Sequence, residues 1–153
     1  MADLFAILEN KILWASLLAW FLAQAAKIII NFLVEGKWDF NLLIGSGGFP
    51  SSHTAIVSAL AVSIGKVEGL DSPMFAVAVA LAMIVMYDAA GVRRATGNHA
   101  RVINYLVEWA KQLQADRLAD NLQQERLKEL IGHTPFEVFG GAILGCLIGF
   151  LLA

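Results

Sequence analysis

The sequence predicts an all-α integral membrane protein, a helical bundle of about four spans with an amphipathic surface helix. Three observations carry that prediction. Of 153 residues, 58% are hydrophobic and only 16% charged, against roughly 45 to 50% and 25% in an ordinary soluble domain. The apolar residues gather in runs separated by short polar turns, and small residues recur every four positions inside two of the runs, as helices packed closely in a bilayer require. The length suits a single domain spanning 1–153, with spans at about 12–34, 52–65, 73–92 and 135–153. A net charge of −2 argues against a nucleic-acid partner, which needs a large basic patch. One cysteine, Cys146, cannot form an intramolecular disulfide.

The N-terminus lacks the basic region of a cleavable signal peptide, so the first apolar segment is expected to stay in the mature protein. Leu4 to Leu8 is too short to span and is broken by Glu9, Asn10 and Lys11, which fits a short helix at the interface. Ile12 to Val34 is the first span. Its strongly polar members, Gln24, Lys27 and Asn31, fall at i, i+3 and i+7, one helical face, and so should look into the bundle. Lys27 lies about 7 residues, roughly 10 Å, inside the end of that span. Its alternative is to snorkel to the headgroups.

Glu35 to Gly48 connects the first two spans, with a short apolar stretch, Phe40 to Ile44, that dips at most part-way into the bilayer. Gly45, Gly47 and Gly48 then lead into Phe49-Pro50-Ser51-Ser52-His53-Thr54-Ala55. Glycines let backbone approach a ligand closely, and a helix beginning at Ser52 presents free N–H groups and a positive dipole end to an anion. Ser51 and Ser52 either cap that turn or donate to a bound oxyanion. The helix to Gly65 is short of a full crossing, so its start should sit in a protein-lined hollow. Ala55, Ala59 and Ser63 form its small-residue row.

After a turn at Lys66 to Ser72, Pro73 opens the third span, apolar through Tyr87. Asp88-Ala89-Ala90-Gly91-Val92-Arg93-Arg94 is expected to end it, as a positive-inside anchor or as lining of the same hollow as His53. His99 to Ala115 alternates charge with apolar residues at helical spacing and reads as an amphipathic helix on the bilayer surface or over the site. Asp116 to Leu130 is polar and reads as solvated helix. The last span, Pro135 to Ala153, carries the tandem Gly141, Gly145 and Gly149. At its start, Thr134 as N-cap, Pro135 at N1 and Glu137 at N3 make a capping box. His133 and Glu137 are also four apart and can meet, giving an imidazole oriented by a carboxylate.

Taken together, Phe49-Pro50-Ser51-Ser52-His53-Thr54-Ala55 and His133-Thr134-Pro135-Phe136-Glu137-Val138, followed by Gly141-Ala142-Ile143-Leu144-Gly145, resemble the last two signature motifs of the type 2 phosphatidic acid phosphatase superfamily, in the right order. Ser52 replaces the Gly of its Pro-Ser-Gly-His, and Glu137 replaces the Asp that follows the second His. The nearest likeness is to its divergent branch of small membrane proteins, related to acid phosphatases and vanadium-dependent haloperoxidases, which also resembles Tyr87-Asp88-Ala89-Ala90-Gly91-Val92-Arg93-Arg94. The resemblance implies that His133 attacks phosphorus, Glu137 holds its ring, and His53 protonates the leaving oxygen and later activates water. Lys27, Ser51 and Ser52 would stabilise the added negative charge, and neither a metal nor another cofactor is implied.

Two departures stand out. Where the superfamily's first motif has Arg-Pro, Val34 and Glu35 follow Lys27, and six residues before His133 stands Leu127 instead of Arg. A replacement guanidinium is therefore expected from Arg93 or Arg94, held by Asp88, with Arg126 and Lys128 left as solvated charge. The function expected is hydrolysis of a phosphate monoester or diphosphate of a lipid, with the bilayer and that lipid as partners. A vanadate-dependent peroxidase and an inactive phospholipid-binding scaffold are the alternatives, and a homo-oligomer is left open. With four spans, Lys27, Lys37, Arg93, Arg94, Arg101, Lys111, Arg117, Arg126 and Lys128 share one side, and only Lys11 and Lys66 the other. The positive-inside rule then puts the site on the cytoplasmic face of a plasma or inner membrane.

Overall fold

The computed structural model describes residues 2–43, 47–112, 127 and 132–153. Every regular element among them is helical: α1 (Ala2–Glu9), α2 (Lys11–Glu35), a 3₁₀ turn (Phe40–Leu43), α3 (Ser52–Glu68), α4 (Pro73–Ala90), α5 (Val92–Gln112) and α6 (Pro135–Leu152). Local chemistry sets the boundaries. Asn10 caps α2 by accepting the Leu13 N–H at 3.0 Å, and Gly36, in the left-handed region at φ 70°, ends it. Ser72 caps α4 with Pro73 behind it in the first turn.

The helices Lys11–Glu35 and Pro135–Leu152 and the helical run Pro73–Trp109 are long and apolar enough to cross a bilayer. α3, with 17 residues, is about 25 Å long and is the most enclosed element, packed against α2, α4 and α6. The interior is built of small residues. Ala19, Ala23, Ala55 and Ala59 form the central cluster with Leu144 and Ile148 against it, whereas Trp14, Phe21, Ile84, Phe139 and Phe150 are exposed. Large apolar groups outside and alanine inside is the distribution expected where lipid is the solvent.

Three expectations about element ends need correction. α3 continues to Glu68 instead of stopping near Gly65, so Lys66, Val67 and Glu68 belong to helix; Lys66 Nζ reaches the Phe150 carbonyl at 2.7 Å and ties off the far end of the bundle. α4 stops at Ala90, and Arg93 and Arg94 lie in the first turn of α5, which begins at Val92 and not at His99. The joint is Gly91, where an added Cβ would stand 2.8 Å from the Tyr87 carbonyl oxygen. Gly45 and the polar stretch 116–130, with Arg117, Arg126 and Lys128, lie outside the described residues, Leu127 excepted.

The two small-residue rows meet each other. Gly141 lies on the Ser51 carbonyl and Thr54, Gly145 on the Ala55 carbonyl and Ser58, and Gly149 on Ala59. Both rows advance in the same direction, so α3 and α6 run parallel, and their N-termini stand side by side at one end of the bundle. A seam that in sequence explains only close packing thus aligns the two motif-bearing helix starts.

Candidate active site

At that shared end, backbone hydrogen bonds fasten the two starts together. The Ser51 N–H donates to the Glu137 carbonyl at 2.9 Å, and the His133 N–H donates to the Ala89 carbonyl, at the end of α4, at 2.9 Å. Gly132, at φ 94°, lies against the Arg93–Arg94 backbone so closely that any Cβ would collide with it. No residue with a side chain fits there, and this glycine brings the α4–α5 joint up to His133. Sequence spacing does not show that contact; the only local sign was a glycine immediately before His133.

The Thr134–Glu137 capping box forms, with Glu137 N–H to Thr134 Oγ1 at 3.3 Å and Thr134 N–H to Glu137 Oε2 at 3.0 Å. The same Oε2 is 3.1 Å from His133 Nδ1. Capping and orienting the imidazole are therefore one arrangement and not alternatives. A carboxylate only accepts, so the proton resides on Nδ1 and Nε2 carries the lone pair. His133 is 1% exposed, and burial holds its imidazole below the ordinary histidine range, opposed by the hydrogen bond it donates to Glu137 and by the Gly48 backbone. Its Nε2 is buried with no hydrogen-bond partner among the described residues. A buried ring nitrogen without a partner calls for a reason, and an incoming electrophile is one.

His53 packs edge to face against His133 with ring centroids 5.8 Å apart, and its Nδ1 is likewise buried and unpartnered among the described residues. Lys27 is 3% exposed, which rules out a lysine snorkelled to the surface. Its Nζ lies 3.4 Å from Ser52 Oγ. Ser51 is fully enclosed and its Oγ accepts from the Thr54 N–H at 3.3 Å and from Thr54 Oγ1 at 3.1 Å, so it serves the cap. Helical geometry leaves the Ser52 and His53 N–H groups without intrahelical acceptors. Two parallel helix N-termini and one buried ammonium group thus converge on the histidine pair, a positive, water-poor spot suited to an anion.

The arginines stand at the rim. Arg93 Nε donates to Asp88 Oδ2 at 2.6 Å, with the two side chains 46% and 40% exposed, and both charges act on His53. The Arg94 side chain is exposed. Leu127, at the position of the absent arginine, exchanges two backbone hydrogen bonds with the Asn104 side chain of α5 at 2.9 and 3.1 Å. Among the described residues no three His, Cys, Asp or Glu side chains are grouped to hold a metal ion.

A family model described as the Divergent PAP2 family matches residues 8–148. The Bacillus subtilis (strain 168) protein named "Uncharacterized membrane protein YuiD" is 44% identical over 154 residues, covering 96% of each chain. No solved structure matches.

Proposed function

The chain belongs to the Divergent PAP2 family, and from that premise we propose that it is a membrane-embedded lipid phosphatase acting through a phosphohistidine on His133. The observation that carries this reading is the His133 ring itself, oriented by Glu137 through Nδ1 and bare at Nε2 beside His53. His133 Nε2 attacks phosphorus, and the bond from phosphorus to the ester oxygen breaks as His53 delivers a proton to the leaving group. The positive charge that develops on the His133 ring is balanced by Glu137. In the second half His53 takes a proton from water, the hydroxide attacks phosphorus, and the N–P bond breaks to release phosphate. Lys27, Ser52 and the N-terminal N–H groups of α3 stabilise the equatorial oxygens, with Arg93 gripping the phosphate from the rim.

The two rings touch, so the phosphoryl group enters by displacing one of them. His133 is fixed on one side by Glu137 and on the other by the Ala89 carbonyl; His53, half-buried, is the ring that yields. A fixed nucleophile and a movable proton carrier match the two roles. The substrate is a lipid because the site lies where a headgroup phosphate sits while its chain stays in the bilayer, on the cytoplasmic side by the distribution of basic residues.

Phosphate release by purified protein from phosphatidic acid, phosphatidylglycerol phosphate and prenyl diphosphates tests the reading. Labelled phosphate should be trapped on the protein as an acid-labile, base-stable adduct, and His133→Ala should abolish it. His53→Ala should retain some attack on esters with good leaving groups, for which protonation matters less. Equal and total loss in both variants on such esters would overturn the assignment of roles.

A further inference from the structure

The polar stripe of α2 divides its work. Gln24 Nε2 donates to the Leu43 carbonyl at 2.6 Å and Asn31 Nδ2 to the Lys37 carbonyl at 3.1 Å. The stripe's two outer members thereby pin residues 37–43 of the connection against the helix. Lys27, between them, turns its Nζ to Ser52 Oγ, 3.4 Å away, and its side chain lines a cavity of about 200 Å³ together with Ile30, Asn31, Val34, Leu42 and Phe49. The Phe49 wall is fixed in turn, its ring stacked on Phe136 at 5.1 Å and lying against Gly140. Gly48, at φ 88°, rests on the aliphatic stem of Lys27 and completes the lining.

A mostly apolar pocket along the stem of a buried lysine whose ammonium group lies at Ser52 fits a ligand whose anionic group is followed at once by hydrocarbon. Taking from the reading above that the ligand is a phosphate ester, we propose that this pocket receives the first carbons of its chain and selects alkyl or prenyl phosphates over glycerolipid phosphates. Discrimination comes from what the walls lack. Glycerol ester carbonyls placed there would meet Ile30, Val34, Leu42 and Phe49, with the Nδ2 of the one wall amide, Asn31, already donating to the Lys37 carbonyl, and polar groups buried without partners weaken binding. The cavity is smaller than the roughly 300 to 1,000 Å³ that encloses a whole drug-sized ligand, so it admits only the start of a chain and leaves the rest in the bilayer. Gln24 is a positioning residue for this subsite, and Asn31 both positions the connection and forms part of the wall.

The test measures binding, so it does not depend on turnover. The full chain in nanodiscs is titrated with dodecylphosphonate, whose C–P bond this chemistry does not cleave, with the phosphonate analogue of dioctanoyl phosphatidic acid, and with inorganic phosphate. Dodecylphosphonate should bind at least about tenfold more tightly than the glycerol compound. Leu42→Trp and Val34→Trp, filling the pocket from two walls, should each weaken dodecylphosphonate by a similar factor and leave inorganic phosphate unchanged, whereas Lys27→Met should weaken both. Equal affinity for the two phosphonates, or dodecylphosphonate binding indifferent to both Trp variants, overturns the proposal. Selective binding by a protein that hydrolyses no phosphate ester supports the subsite while removing the phosphatase reading.

Discussion

Glu137 Oε2 is shared between His133 Nδ1, at 3.1 Å, and the Thr134 N–H, at 3.0 Å. One oxygen thus caps the start of a helix and orients the ring of the proposed nucleophile, and the two duties separate by substitution. Glu137→Gln keeps an acceptor for the cap but loses the charge that balances the phosphorylated ring. Turnover should fall by roughly 100-fold or more, with the thermal unfolding midpoint close to that of the parent. Glu137→Ala should also lose the cap, about 0.5 to 2 kcal/mol. A Gln variant with parental turnover would reduce Glu137 to a cap.

The same pair controls the acid side of the pH profile. Burial, and to a smaller degree Lys27, lower His133 below its ordinary value, while Glu137 and the Gly48 backbone raise it, so the neutral ring persists below about pH 6.5. The acid limb of kcat/KM should therefore lie below that value, and Glu137→Gln should move it lower still, because a raising influence is gone. Lys27, Arg93, Asp88 and His53 face the site in both proteins and substrate ionisation is common to both, so the shift between the two profiles is the readout. Coincident acid limbs would mean that Glu137 does not act on the reacting ring.

Gly145 lies directly on the Ala55 carbonyl, and this contact keeps the α3 and α6 starts level. A methyl group there must force two backbones apart, since the obstructing atoms are a main-chain carbonyl and Ser58 Cβ. Gly145→Ala should destabilise the protein by about 1 to 3 kcal/mol and lower kcat more than KM by misaligning His53 and His133. Cys146→Ala, one position along on an exposed side chain, is the control and should be silent in unfolding and in turnover.

What sequence could convey follows the range of each interaction. Ser51 to His53 and His133 to Glu137 are legible because caps, N1 proline and an i,i+4 pair are set within one helical turn. The two glycine and alanine rows are legible as seams, but not as partners of each other: parallel and antiparallel pairings look alike until the chain is folded. The α4–α5 joint is misread because Arg93 and Arg94 look like a terminating charge pair, whereas Gly91 permits a break and helix resumes at Val92. That Gly132 seats the joint against His133 depends on main chain alone and leaves no pattern in side-chain chemistry.

The proposed cytoplasmic placement of the site is open to direct labelling. In a Cys146→Ala background, Lys37→Cys sits in the exposed connection that borders the site and Lys66→Cys at the opposite end, where Lys66 meets the Phe150 carbonyl. A thiol reagent that cannot enter intact cells should label Lys66→Cys and spare Lys37→Cys until the membrane is permeabilised. The reverse pattern would put the histidines on the outer face.

Arg93 is the guanidinium that geometry favours for the phosphate grip. Of the two arginines after Gly91, Arg93 is held by Asp88 at 2.6 Å, and its charge reaches His53. A dianionic ester in a water-poor hollow needs more positive charge than Lys27 and helix N-termini supply. The Asp88 bond uses Nε, and the two remaining nitrogens of a planar fork match two phosphate oxygens, a geometry that a lysine ammonium cannot reproduce. Arg93→Lys should therefore lower turnover at least about tenfold, equivalent to about 1.4 kcal/mol in the transition state. Asp88→Asn, which loosens the guanidinium without removing it, should cost less than Arg93→Lys, and Arg94→Lys least of the three. If Arg93 and Arg94 can both become lysine with no loss of rate, the phosphate is gripped by groups other than the α5 arginines.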